Sequence, residues 1–275
     1  MNAADGRKPG IQHPESAGRA LAAVVTVLLG LAGSAPLRAD TDAKFKQLLE
    51  EKSPAVVTVK FVLKVKSQFG DTEQESEISG VMVSPDGLVL CSNTQLQGFA
   101  AFMRGSAAGS VTPTDIRILA GDDTEGLEAA LVARDTELDL VWIRIKNAGD
   151  RRFTCIDLEK TAAPEIGDRL YAVTRLPKYF DRTAVVREAR LAAVTRKPRR
   201  LYVPSTGLGA RGLAVFSSSG EFVGVAVTQM PDPAEMEAAR GMGGAGLQEL
   251  ILPASDVFKA TQRARETERR DELPQ

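Results

Sequence analysis

Two successive groups of short strand-like segments, separated by turn residues, constrain the fold of this chain more than any other sequence feature. Each segment is rich in Val, Ile, Leu or Ala and is bounded by residues that favour turns. The first group comprises 55–66, 78–83, 88–91, 115–119, 129–133 and 140–145; the second comprises 169–174, 183–195, 202–203, 212–216, 222–228 and 249–252. Many short strands in two groups are typical of a β-sandwich or of paired β-barrels.

Two helices are predicted to flank the strands. Apolar residues at helical spacing predict a short lead-in helix over residues 43–52. Residues 255–272 are interpreted as a polar helix with Ser255 as its N-cap and a solvated Arg/Glu face. The glycine-rich segment 231–246 is interpreted as a flexible loop, because the strand–loop–helix order of a phosphate-binding loop does not surround it.

The N-terminus has the pattern of an export signal. A basic start precedes the uncharged apolar stretch 20–32, and small residues follow it up to Ala39. This stretch is shorter than the roughly 20 residues of a transmembrane helix, so a signal peptide is predicted over residues 1–39. The protein is then exported, to the periplasm or the exterior. The alternative is an uncleaved anchor, the only form in which we expect membrane contact.

The net charge and the histidine content of the chain limit the partners and the kinds of active site that we expect. The chain has 35 Lys and Arg against 36 Asp and Glu, so its net charge of −1 gives no reason to expect nucleic acid as a partner. Its single histidine is His13, inside the expected signal peptide. Sites that need imidazole, including His-based zinc centres and Ser-His-Asp triads, are therefore not expected in the mature chain. No metal and no cofactor is predicted.

The two cysteines, Cys91 and Cys155, leave two alternatives open. An oxidising compartment would allow one disulfide between them. They are equally compatible with two separate thiols in apolar surroundings, because their spacing matches no disulfide framework.

Six short motifs occur in a fixed order along the chain. They are 53–57 (SPAVV), 79–90 (SGVMVSPDGLVL), Asp135 with 139–143 (DLVWI), 166–168 (IGD), 220–225 (GEFVGV) and 251–255 (ILPAS). In this order they resemble the protease domain of the Deg/HtrA branch of trypsin-like serine peptidases, from about Ser53 to Gln262. The resemblance implies an all-β, chymotrypsin-like double β-barrel.

The resemblance also implies a division of the chain. The lead-in helix and first barrel are expected in residues 40–150, the second barrel in 151–262, and a polar tail in 263–275. No PDZ domain is expected after Gln262.

The sequence departs from the family pattern at the positions of the triad. By alignment of the motifs, Thr94 stands where the family has its catalytic base, and Arg211 stands where it has its nucleophile. Asp139 is retained at the third position. The former oxyanion loop and cleft are expected to include Gly209, Ala210, Arg211, Gly212 and Leu213. A guanidinium is neither a nucleophile nor a base near neutral pH, so the sequence predicts a pseudoprotease.

A lone buried carboxylate is costly, and Asp139 therefore needs partners. We hypothesise that Arg211 crosses the space left by the smaller Thr94 and pairs with Asp139. The alternative is an Arg211 that is solvated in an open cleft.

The function predicted is binding of an extended peptide or a partner protein without hydrolysis, since strand addition needs main-chain hydrogen bonds and no triad. The alternative is a structural or assembly subunit whose cleft is filled by Arg211 and Leu213 and which pairs with an active relative. The remaining alternative, an active endopeptidase, would need another nucleophile such as Ser205 or Ser217–Ser219.

Overall fold

The structure is a computed structural model that describes residues 36–67, 70–97, 111–121, 123–229 and 248–271. The chain divides into two units, residues 1–44 and 45–275. Most of the expected signal peptide and the expected loop 231–246 lie outside the described residues. Among the helices that the structure describes, none is long and apolar enough to cross a membrane.

Twelve strands form two closed antiparallel barrels of six strands each. The first barrel has the order β1-β2-β3-β6-β5-β4 and consists of β1 (Val56–Ser67), β2 (Gly70–Ser84), β3 (Leu88–Ser92), β4 (Val111–Leu119), β5 (Leu127–Asp135) and β6 (Leu140–Ile145). The second has the order β10-β11-β12-β9-β8-β7 and consists of β7 (Arg169–Arg175), β8 (Ala184–Val194), β9 (Tyr202–Pro204), β10 (Ala214–Phe216), β11 (Phe222–Gln229) and β12 (Gln248–Pro253). The predicted all-β double barrel is confirmed.

The described residues also form helices α1 (Pro36–Lys52), α2 (Asn93–Leu96) and α3 (Ala254–Asp271), with short 3₁₀ turns at Ser53–Ala55 and Lys178–Phe180. The lead-in helix is longer than the predicted 43–52. Its second half packs on the second barrel, where the ring of Phe45 meets the ring of Tyr171 edge-on at 5.7 Å.

The hairpin between β2 and β3 shows how local sequence sets the barrel. Gly87 has φ +94°, a conformation that glycine adopts without steric cost, and its N–H donates to the carbonyl of Ser84. The hairpin leads directly into β3, whose five residues are all buried. The Ser-Pro-Asp-Gly turn therefore leads into a strand that is buried on both faces, and this burial agrees with the near-continuous run of apolar residues in β3.

Strand β2 is longer than predicted, because it begins at Gly70 rather than at residue 78. The added segment is polar and hydrogen-bonds to β1 along its length. Its acidic side chains form cross-strand ion pairs, Glu73 with Lys64 at 2.9 Å and Glu75 with Lys60 at 3.3 Å. A prediction based on the alternation of apolar residues misses this segment, because opposite charges on the two strands stabilise it rather than buried apolar side chains.

The C-terminal helix is amphipathic, with a buried face opposite the predicted solvated one. Val257, Ala260, Thr261 and Ala264 are buried, and Thr261 Oγ1 accepts a hydrogen bond from the indole N–H of Trp142 at 3.2 Å. The expected N-cap is also wrong, because the helix begins at Ala254 and places Ser255 inside its first turn.

An ion-pair network ties this helix to the first barrel. Arg144 of β6 donates two hydrogen bonds of 2.7 Å to the carboxylate of Glu268, and it also lies 2.7 Å from Asp86. Partial burial tends to raise the pKa of Asp86, but hydrogen bonds from Ser84 and Arg144 outweigh it, so the pKa is lowered. The network thus holds the hairpin, β6 and α3 together.

Both cysteines are free thiols, so the disulfide alternative is wrong. Cys91 lies inside the first barrel on β3, near Asp139, whereas Cys155 is half-buried in the connection to the second barrel, near Asp86. The two thiols therefore occupy different environments, and burial raises the pKa of each.

Candidate functional site

A cleft of about 480 Å³ lies between the two barrels. The first barrel contributes Thr58 and residues 77–79 of β2, and Gln95 reaches it from α2. The second barrel contributes Gly209 and residues 175–179 and 182 at the β7–β8 connection. The cleft is thus lined by residues next to two of the predicted site positions, Thr94 and Arg211.

Asp139 forms the centre of the predicted site. It lies directly before β6, is 2% exposed and has φ +59°, a conformation that Asp tolerates better than most residues. Its Oδ1 accepts the N–H of Thr94 at 2.7 Å, and its Oδ2 accepts the N–H of Thr228 at 2.8 Å. The hydroxyl of Ser92 lies 3.1 and 3.0 Å from the two oxygens.

Thr94 reaches Asp139 through its backbone. It lies in the single turn of α2, which Ser92 caps by accepting the N–H of Gln95 at 3.2 Å. The N–H of Asn93 donates to the backbone carbonyl of Asp139 at 3.2 Å. Ser92 therefore serves two purposes, since it starts the turn and fixes the carboxylate, and the predicted neighbours Thr94 and Asp139 are brought together.

Arg211 lies on the other side of the same junction. The next residue, Gly212, has φ +77°, and a Cβ atom there would lie 2.3 Å from the backbone nitrogen of Ser92. Only glycine permits this approach. Arg211 also forms a backbone bridge with Ala226, two residues before the Thr228 that donates to Asp139. The fold therefore brings all three predicted positions to one place.

The hypothesis of an Asp139–Arg211 ion pair is wrong. Within the described residues, Asp139 takes its donors from Ser92, Thr94 and Thr228 and forms no ion pair with Arg211. A carboxylate offers about four acceptor positions, and these three neutral donors occupy most of them. Arg211 is half-buried, and its Nε has no hydrogen-bond partner in the part of the chain that the structure describes.

Glu249 is a site residue that the sequence reasoning missed. It lies on β12, and its carboxylate accepts the N–H of Leu208 at 2.8 Å and of Ala210 at 3.3 Å. It thereby fixes the loop that precedes Arg211. A signal was available, because Glu249 shares its strand face with the buried Ile251, and a carboxylate on an inward face needs donors.

The rim of the cleft carries two exposed aromatic side chains. Tyr179 is 89% exposed and Phe180 is 56% exposed, and their rings meet edge-on at 5.0 Å. Tyr179 lines the cleft together with Lys178. Exposed aromatic pairs on a short structured turn are suited to contact another molecule.

Two closed six-stranded barrels, with a buried acid where they meet, define the trypsin-like class of protein fold. The family model described as "Trypsin-like peptidase domain" matches residues 78–225, which is more than half of the chain, and the chain belongs to this family.

Solved structures show the same architecture. A variant of the HtrA-type protease AlgW with a decapeptide matches with a TM-score of 0.56 and 16% identity, covering 81% of this chain and 67% of that chain. Deg5 matches with a TM-score of 0.54 and 15% identity, covering 80% of this chain and 92% of that chain. At such low identity these likenesses show the fold. A comparison with curated protein sequences finds no match.

Proposed function

We propose that this chain is an exported trypsin-like pseudoprotease that binds extended peptide without hydrolysing it. The observation that carries the proposal is the set of partners of Asp139. In the Ser-His-Asp mechanism the acid accepts a hydrogen bond from an imidazole and orients it. Here its carboxylate is occupied by the hydroxyl of Ser92 and the backbone N–H groups of Thr94 and Thr228.

The residue chemistry supports loss of hydrolysis. Thr94 has no group that accepts a proton near neutral pH, and Arg211 offers donors only. The single histidine of the sequence, His13, belongs to the segment that we propose is removed on export. No imidazole is then left to act as the general base for a nucleophile in this cleft.

Three of the serines considered as substitute nucleophiles, Ser205, Ser217 and Ser219, are engaged in hydrogen bonds. Ser217 and Ser219 share a hydroxyl–hydroxyl hydrogen bond of 2.8 Å, and Ser219 also donates to Glu221 at 2.8 Å. The hydroxyl of Ser205 accepts the N–H of Arg190 at 3.0 Å. These contacts support structural roles and weigh against a substitute nucleophile, which would need an adjacent base.

The state of the cleft favours peptide binding over the assembly subunit. The assembly alternative needs a cleft that is filled by Arg211 and Leu213. Leu213 is 1% exposed, and neither residue is among those that line the 480 Å³ cleft. An extended peptide is suited to such a space because it needs main-chain partners along one side and side-chain pockets along the other.

The proposal is tested with the purified protein and fluorescein-labelled unfolded casein. We expect the fluorescence anisotropy to rise with protein concentration while the casein stays intact on a gel after overnight incubation. Casein fragments would contradict the loss of hydrolysis. An unchanged anisotropy would contradict peptide binding and would favour the assembly subunit.

A matched pair of variants locates the binding site. Tyr179→Ser removes an exposed aromatic side chain from the cleft, and Ile166→Ser removes a 68% exposed apolar side chain that does not line it. We expect Tyr179→Ser to weaken casein binding by about tenfold, as loss of a contact aromatic often does, and Ile166→Ser to have little effect. Equal losses in both variants would place binding outside the cleft.

A further inference from the structure

We propose that the loop of residues 207–211 is a receptor for a peptide carboxylate, and that this group gives the cleft its specificity. The inference rests on the peptide binding proposed above and names the chemical group that is recognised. Three observations carry it: backbone donors and a buried guanidinium nitrogen that have no partner among the described residues, and a second arginine beside the loop.

The backbone N–H groups of the loop divide into two sets. Those of Leu208 and Ala210 donate to Glu249. Those of Gly209 and Arg211 donate no hydrogen bond within the described residues. Because Gly209 is exposed and Arg211 is half-buried, these two N–H groups are available to an acceptor from outside the chain. Gly209 lines the cleft, which gives such an acceptor a way to approach.

The side chain of Arg211, which does not itself line the cleft, adds a third donor to the loop. Its Nε is buried and has no hydrogen-bond partner among the described residues. Leaving a charged donor unsatisfied costs more than leaving a neutral one. Asp139 does not satisfy it, because the carboxylate of Asp139 is taken up by neutral donors. The donors of residues 209–211 therefore exceed the acceptors that the described chain supplies.

Arg187 of β8 places a second positive charge beside the loop. Its side chain is exposed, and a Cβ atom built at Gly209 would lie 3.6 Å from its Nε. The guanidinium has no ion-pair partner in the part of the chain that the structure describes. The carboxylate of Glu249 partly offsets this charge, but it accepts the N–H groups of Leu208 and Ala210, which alternate along the loop with the two free ones.

These features match a carboxylate better than a neutral carbonyl. A carboxylate accepts several donors at once, and charge-assisted bonds to arginine are about twice as strong as neutral ones. The group has two sources in a peptide, the C-terminus and the side chains of Asp and Glu. In a cleft that does not cleave, a chain end seated at the former nucleophile would be retained.

The test uses fluorescein-labelled decapeptide mixtures of randomised sequence that lack Asp and Glu. One mixture ends in a carboxylate, a second ends in an amide, and a third ends in an amide but carries one Glu at its centre. We expect the protein to bind the free-acid mixture at least about tenfold more tightly than the amide mixture. Tight binding of the third mixture would support carboxylate recognition and identify a side chain as the source.

Variants connect the preference to the loop. Arg211→Gln and Arg187→Gln should each reduce the preference for the acid several-fold, while binding of the amide mixture stays unchanged. Arg196→Gln is the matched control, because this exposed arginine lies in the β8–β9 connection. A preference that survives both loop-facing substitutions would overturn the inference.

The outcomes separate this inference from the proposed function. Equal binding of all three mixtures would refute carboxylate recognition and leave peptide binding standing. No binding of any mixture, together with no binding of casein, would refute both. A circular dichroism melt of each variant excludes unfolding as the reason for a loss.

Discussion

Replacing Asp139 by Asn should destabilise the protein strongly, although the two side chains have nearly the same shape. Oδ1 accepts the N–H of Thr94 at 2.7 Å, and Oδ2 accepts the N–H of Thr228 at 2.8 Å. Whichever oxygen becomes an NH₂ group, one backbone N–H then faces another donor. A buried donor left without an acceptor costs about 1–3 kcal/mol, and the bonds that remain lose their charge assistance.

We therefore expect Asp139→Asn to lower the free energy of unfolding by about 2–5 kcal/mol. For a chain of this size the loss corresponds to a decrease in Tm of roughly 5–15 °C. Asn tolerates the φ of +59° at this position, so backbone strain adds little to the loss.

The free energy of unfolding is measured by urea titration, with fluorescence of the single tryptophan as the signal. Trp142 is 2% exposed and contacts α3 through Thr261, so it reports on the packing of the first barrel. Asp150→Asn is the control, because Asp150 is exposed. Arg211→Ala should cost less than about 1 kcal/mol, since no ion pair with Asp139 is lost.

The opposite ranking would refute this reasoning. If Arg211→Ala cost several kcal/mol while Asp139→Asn cost about as little as Asp150→Asn, the stability of the site would depend on an arginine–aspartate pair. The neutral donors of Asp139 would then contribute little.

Three further predictions concern the first barrel and its cysteines. Arg144→Gln should lower the free energy of unfolding, measured by urea titration, by about 1–2 kcal/mol, because it removes the two hydrogen bonds to Glu268. Glu268→Gln should lower it less, because one of the two hydrogen bonds survives. Because the pKa of Asp86 is lowered in the folded state, this carboxylate stabilises the protein above its unfolded pKa, and the stabilisation is lost as the pH falls through the folded value. The Tm of the wild-type protein should therefore decrease more steeply below about pH 4 than the Tm of Arg144→Gln. A thiol assay at pH 8 should leave Cys91 unlabelled in the native protein, because burial raises its pKa and excludes the reagent. The half-buried Cys155 should react slowly in the native protein, and both thiols should react in denaturant. Labelling of native Cys91 would contradict the structure.

The local sequence pattern predicted the strands well where at least one face of the strand is buried. It missed a strand segment in which neither face is buried. The run 140–145 was predicted to the residue, because every side chain there but one is buried and apolar residues fill it. The ribbon 70–77 was missed, because its side chains alternate between small polar and acidic residues. Two of its acidic residues pair with lysines of the preceding strand β1, and these pairs depend on the register between the two strands.

The sequence by itself predicted a sandwich or paired barrels from its turn residues and apolar runs. The resemblance of its motif order to a known family then indicated the double barrel and the positions of Thr94, Asp139 and Arg211 within it. The tertiary structure alone decided which groups satisfy Asp139 and Glu249. Their partners are chiefly backbone N–H groups, and every residue other than proline carries the same N–H. Only the fold selects Thr94 and Thr228 for one carboxylate and Leu208 and Ala210 for the other.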